Sequence, residues 1–271
     1  MYKDFFGLKE MPFNVTSDPS FLFLSRVHKE AFAHLLYGIK EKKGFLEITG
    51  EIGAGKTTLC RALINQLDKN TKSAFVFNST LPELQLLEAI LEDYGLAVDK
   101  KNKVSMLKRL NEFLIAELSK GNNVILIIDE AQNLKSSVLE EIRMLSNLET
   151  DKEKLFQIIL VGQPELKKKL NSDRLRQLQQ RISVRFHITP LEADEIDKYI
   201  YHRLSVAGVN GGIRFAQEAI DYIYKFSGGI PRVINMVCDK ALLYAYVIET
   251  KDITLNIAER GVREIQGNIA P

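Results

Sequence analysis

The sequence predicts a mainly parallel α/β domain followed by a small all-helical one. Three observations carry that prediction. Apolar, strand-like runs alternate with amphipathic helical stretches from residue 45 to residue 188. Two of those runs, VILII (124–128) and FQIILVG (156–162), are apolar almost throughout, as strands buried on both faces are. After Thr189-Pro190 no convincing strand appears, and helices are expected at about 192–207, 215–227, 231–249 and 254–266. The expected domains are therefore 1–188, including an irregular arm at 1–24, and 189–271.

Each element has a local reason. The arm mixes aromatics with Pro12, Asp18 and Pro19. Ser25 can N-cap a helix running to about Lys43, with Val27, Ala31, Leu35, Leu36 and Ile39 at helical spacing. FLEIT (45–49) reads as the first strand, followed by a glycine-rich turn and a helix from about Gly55 to Leu67. AFVFN (74–78) is the second strand. Two helices follow, the second with Val104, Leu107, Leu110, Leu114 and Leu118 on one face. VILII is the third strand, and Leu134, Val138, Ile142, Leu145 and Leu148 mark the next helix. The loop ETDKEK (149–154) leads to the fourth strand, FQIILVG, and SVRFHI (183–188) makes the fifth. GGIP (228–231) reads as a C-cap glycine followed by a proline that opens the next helix.

Bulk properties exclude several classes. Net charge is +2 over 271 residues, so the surface as a whole is no trap for nucleic acid, although a local basic patch is allowed. Cys60 and Cys238 are far apart without a CxxC, which suits a cytosolic, disulfide-free chain and offers too few ligands for zinc. The opening MYKDFFGLKEMPF carries Asp4 and Glu10 and is not a secretory signal. VILII, the longest strongly apolar run, is far short of the roughly 20 residues a membrane helix needs. A cytoplasmic location is expected.

Four stretches carry chemistry. GEIGAGKT (50–57) satisfies the spacing G-x-x-x-x-G-K-[ST] between a predicted strand and a predicted helix. Gly50, Glu51, Ile52, Gly53, Ala54 and Gly55 can wrap their backbone N–H groups around phosphates, with Thr58 in the helix start that follows. Lys56 reaches the β- and γ-phosphates of ATP, and Thr57 supplies a hydroxyl to Mg²⁺. VILIIDEAQ (124–132) ends a buried strand in two carboxylates, at the sheet edge where α/β proteins bind ligands. Asp129 is placed to hold Mg²⁺ and Glu130 to orient or deprotonate the attacking water. Gln163, ending FQIILVGQ, can contact the γ-phosphate or that water if its strand lies between the first and third; otherwise it only begins the turn into Pro164. Arg232 stands in the first turn of a helix, where a cation opposes the dipole. An anion contact, the γ-phosphate, would explain it; an exposed or ion-paired arginine is the plainer reading.

One stretch is oddly basic. RLRQLQQRISVRF (174–186) has four arginines and no acid. Between Gln163 and His187, Lys167, Lys168, Lys169, Arg174, Arg176, Arg181 and Arg185 stand against Glu165 and Asp173 alone. A solvated face, a nucleic-acid contact and a cation donated to another subunit's nucleotide all fit that excess.

Together these residues resemble the ExeA/GspA (general secretion pathway protein A) family of AAA+ ATPases. The likeness runs from YKDFFGLKEMPFNVTSDPSFLFLS through GEIGAGKTTLCR, LIIDEAQNL, LSNLETDKEKLFQIILVGQPEL and LRQLQQRISVRF to GGIPRVINMVCDKALLYA. It implies an AAA+ module with strand order 5-1-4-3-2 and a helical lid. It implies that Lys56 and Thr57 are the phosphate-loop pair, Asp129 and Glu130 the metal and water residues, Gln163 the first sensor and Arg232 the second. The segment around Phe13 and His28 resembles an arm that covers the adenine. Such proteins form rings or spirals with a trans-acting arginine just before the fifth strand, the place Arg181 occupies. Arg185 is the second choice, and Arg174 and Arg176 could line the same boundary.

The function expected is therefore a Mg²⁺-dependent ATPase that assembles as a homo-oligomer with ATP and moves its lid on hydrolysis. The resemblance implies service in type II secretion or a related pilus or exopolysaccharide export system, through a membrane-associated partner at the inner membrane. It also implies that longer members continue into a membrane span and a peptidoglycan-binding region, neither of which lies within these residues. Two alternatives stand beside it: an ATP-dependent, DNA-binding transposition regulator using the Lys167–Lys169 run, and a nucleotide switch with little turnover.

Overall fold

The computed structural model describes residues 2–77, 81–98, 101–147, 154–209 and 212–267. In chain order the regular elements are α1 (Tyr2–Phe5), α2 (Arg26–Lys40), β1 (Phe45–Gly50), α3 (Lys56–Gln66), β2 (Thr71–Val76), α4 (Glu83–Asp93) and α5 (Lys103–Ser119). Then come β3 (Asn123–Ile128), α6 (Ser136–Leu145), β4 (Gln157–Gly162), α7 (Pro164–Leu170), α8 (Arg176–Gln179) and β5 (Ile182–Ile188). The chain finishes with α9 (Ala193–Val206), β6 (Arg214–Phe215), α10 (Gln217–Ser227), α11 (Pro231–Val247), β7 (Asp252–Ile253) and α12 (Leu255–Ile265). Two compact units emerge. One comprises Lys29–Gly50 and Leu59–Ile188; the other comprises Met1–His28, Glu51–Thr58 and Thr189–Pro271.

The first unit is built on a five-stranded parallel sheet in the order β2-β3-β4-β1-β5. Read from the other edge, this is the expected order. β1 and β4 are buried at every position, so the alternation of a half-exposed sheet is absent from them. Phe45, Leu126, Ile128, Ile158 and Leu160 pack with Leu110, Leu114, Val138 and Ile142 of the covering helices. The sheet's amino-terminal end holds a polar knot. Gln157 is fully buried, its amide nitrogen donating to the carbonyls of Gly38 and Lys43, both at 2.9 Å, while its oxygen accepts from Asn123 Nδ2.

Several sequence expectations shift here. β2 begins at Thr71, three residues early, because Thr71–Ser73 are polar and partly exposed on an edge strand and show no apolar signal. The expected end of that strand at Asn78 lies outside the described residues, as do Leu148 and the loop residues 149–153. Val104 does not share the buried face of α5 and is 77% exposed. The buried stripe is Met106, Leu110 and Leu114, and Val104 sits two residues, about 200°, from Met106 around the helix.

The second unit packs α9 to α12 around Ile196, Ile200, Ile223, Val237, Ala241 and Ala258. The amino-terminal arm belongs to this core rather than to the α/β domain where the sequence placed it: Tyr2, Phe6, Phe13 and Phe21 are all buried in it. The reason is a long-range one. Arg203 of α9, only 6% exposed, donates from Nε to the Pro12 carbonyl at 2.5 Å and from Nη2 to the Asn14 carbonyl at 3.0 Å, with its guanidinium 4.7 Å from the Phe21 ring. Carbonyl oxygens and an aromatic face thus replace a carboxylate as partners of a buried cation. Arg203→Ala leaves two arm carbonyls unsatisfied and is expected to cost about 2–4 kcal/mol of stability, read as a lowered midpoint in thermal unfolding. The unit also contains strand pairing that the sequence did not reveal. β6 and β7 pair in parallel over two residues each, too short to leave a periodic signal.

Candidate active site

β1 runs directly into the glycine-rich loop, so the loop leaves the sheet at a strand's carboxyl end. Gly53 has φ +81° and Gly55 has φ +92°, a region where a side chain is strained. A Cβ on Gly53 would also stand 2.5 Å from Arg232 Cβ. These turns make the concave backbone into which phosphate oxygens fit. Lys56 opens α3; it is 5% exposed, and its ammonium donates to the Glu51 carbonyl at 2.9 Å. A phosphate in the cradle offers that ammonium stronger acceptors. Arg232, at the second position of α11 after Pro231, is exposed, and its backbone N–H donates to the Gly53 carbonyl at 3.2 Å. The loop and Arg232 are therefore neighbours, through the arginine's main chain.

The carboxylates stand at the same edge of the sheet as the end of β1. β4 lies between β1 and β3, with Gly162 opposite Thr49 and Leu160 opposite Ile128. Asp129 follows β3, is 3% exposed, donates its N–H to the Val76 carbonyl at 2.9 Å and accepts the Glu130 N–H on Oδ1 at 2.8 Å. Glu130 adopts a left-handed backbone, φ 52° and ψ 34°. Its Oε2 accepts from the Gln163 side-chain amide at 3.0 Å and from the Gln132 amide. Gln132 in turn accepts the Gln163 backbone N–H on Oε1 at 3.1 Å. Gln163 precedes α7 but makes no side-chain cap bond, so turn formation does not account for its side chain. The Asp129 carboxylate is a hard, buried oxygen donor of the kind that suits Mg²⁺.

Gln132 escaped the sequence reading. The signal was available in DEAQ, where a short 3-10 turn over Ala131–Asn133 brings the amide back onto Glu130. Lys169 escaped it too. Its ammonium donates to the carbonyls of Gln132 and Leu134 and braces that turn from α7. One of the three lysines considered for DNA is therefore spent on the fold.

The arginines separate in the same way. Arg185 pairs with Glu47 at 3.2 Å and donates to the Gln179 carbonyl at 2.7 Å. Burial pushes the Glu47 carboxyl up, and Arg185 and Lys167 pull it back down. Arg181 is half-buried and donates from Nη1 to Ser146 Oγ at 2.9 Å. Arg174 and Arg176 are exposed.

Comparison with known proteins agrees with this fold. A family model described as an AAA domain matches residues 39–170. General secretion pathway protein A of Aeromonas hydrophila is 42% identical over 268 residues, covering 98% of this chain and 49% of that protein. The Aeropyrum pernix ORC2 protein, solved as ADPNP-ADP complexes, superposes with a TM-score of 0.71 at 17% identity, over 94% of this chain and 72% of that one. Cdc6p from Pyrobaculum aerophilum gives a TM-score of 0.67 at 14% identity, over 91% of this chain and 70% of that one. At such identities the two structures show the fold alone. The chain spans about half the length of the curated relatives it matches. No helix among the described residues is long and apolar enough to cross a membrane. With near-complete alignment of this chain at 42% identity and an AAA-domain match over residues 39–170, the chain resembles the AAA+ ATPases of the general secretion pathway protein A family.

Proposed function

We propose that the chain binds ATP with Mg²⁺ and hydrolyses it. The observation that carries this reading is Glu130, held by the amides of Gln132 and Gln163 next to a buried Asp129. A carboxylate so oriented can take a proton from water as the water attacks phosphorus. The loop N–H groups and Lys56 hold the phosphates. Thr57 and Asp129 hold Mg²⁺, which neutralises charge on the phosphate oxygens when bound. Gln163 leaves Glu130 to meet the γ-phosphate or the attacking water. Arg232 reaches the γ-phosphate through its side chain, and Arg181 serves the nucleotide of a neighbouring copy in a homo-oligomer.

The work done is assembly in type II secretion or a related envelope export system, on the cytoplasmic side of the inner membrane and through a membrane-associated partner. The name of the Aeromonas relative supports that part of the reading. Purified chain should bind ATP with Mg²⁺, release phosphate over many turnovers and grow in size when ATP is present. Lys56→Ala is expected to weaken nucleotide binding by at least about tenfold, measured by fluorescence titration. Wild-type affinity in that variant, or none in the parent, refutes the proposal.

A further inference from the structure

His28 is 3% exposed, and no step of the proposed hydrolysis uses it. It stands at the third position of α2, where its backbone N–H donates to Ser25 Oγ at 3.2 Å as an N-cap bond. Its ring reaches the phosphate loop. Nε2 lies 2.9 Å from the Ala54 carbonyl oxygen, and Nδ1 lies 2.7 Å from Ser25 Oγ. A carbonyl oxygen can only accept, so Nε2 carries the proton. Burial pulls the imidazole pKa down, favouring the neutral ring. Nδ1 is then a lone pair, and the Ser25 hydroxyl donates to it. A single tautomer satisfies both ring nitrogens.

Ala54 lies between the two left-handed glycines of the loop. Its carbonyl shares a planar trans peptide with the N–H of Gly55, and the two point in opposite directions. Whatever holds the Ala54 oxygen therefore aims the Gly55 N–H. The approach is close: a Cβ on Gly55 would stand 3.1 Å from His28 Nε2. The ring is itself anchored, because the Arg26 N–H donates to the buried Glu195 carboxylate at 2.8 Å and fixes the start of α2.

We propose that His28 is a positioning residue that locks the Ala54–Gly55 peptide plane, so that the Gly55 N–H faces bound phosphate. The assignment rests on the phosphate-binding reading of the loop and adds a residue to it. The test compares His28→Leu, which keeps bulk but loses the donor, with His28→Gln, whose amide nitrogen can take the place of Nε2. Affinity for N-methylanthraniloyl-ADP is titrated in the whole 271-residue chain, with thermal unfolding run beside it. His28→Leu is expected to bind about tenfold more weakly, and His28→Gln to return within about threefold of the parent. Ser25→Ala keeps the ring but frees its tautomer, and about threefold weaker binding is expected. Wild-type affinity in His28→Leu or in Ser25→Ala, or a glutamine variant as weak as the leucine one, overturns the assignment. A parent that binds no nucleotide would instead count against the proposed function.

Discussion

Arg181→Ala protein is expected to bind ATP like the parent and to lose turnover by about 10³-fold or more, the range known for a cation supplied to a transferring phosphoryl group. The side chain sits one residue before β5, half-buried, with one guanidinium nitrogen on Ser146 Oγ. Ser146 is itself held, donating to the Arg143 carbonyl at 2.7 Å. A neutral hydroxyl is a weak partner for a guanidinium and leaves the planar fork suited to phosphate. Arg185, the other candidate, is committed to Glu47 and the Gln179 carbonyl. Two controls separate a donated cation from a brace for α6. Ser146→Ala removes the brace and should retain most activity. Mixing Arg181→Ala with Glu130→Gln should restore turnover, because some junctions then pair an intact glutamate with an intact arginine. Full hydrolysis by Arg181→Ala alone, or a mixture that stays inactive, would reject the trans role.

Glu130→Gln is expected to hold ATP and lose about 10²–10⁴-fold in the rate of phosphate release, the worth of a general base. The exchange is nearly isosteric. The new amide oxygen can still accept from Gln132 and Gln163, so melting behaviour should barely move. What disappears is the capacity to take a proton. Multiple-turnover phosphate release in parent and variant checks this directly. Parent protein that binds ATP but shows no multiple turnover would favour the nucleotide switch.

Much of the site was legible because it is local in sequence. GEIGAGKT and the carboxylates after VILII announce themselves within a few residues, and the apolar runs place both at strand ends. The place of Gln163 at the end of an apolar strand was legible for the same reason. Gln132 apart, the missing parts depend on distant pairs. His28 meets Ala54 across 26 positions, Lys169 meets Gln132 across 37, and Arg203 meets Pro12 across 191. No periodicity or spacing rule reports such partners, because each requires a fold before it exists. The arm illustrates the same limit. Its aromatics show that it packs somewhere, but only long-range contacts, those of Arg203 among them, place it in the helical unit.

Glu130 holds a left-handed backbone conformation, with φ 52°. A residue other than glycine in the left-handed region gives up about 1–2 kcal/mol, and among side chains asparagine bears that conformation with less strain. The position is therefore pulled two ways. Thermal robustness favours a residue such as asparagine, whereas the proposed proton transfer requires the glutamate. A library of variants sorted only for survival of heating would drift away from glutamate at this position, and the survivors would be durable proteins that had forgotten how to turn over.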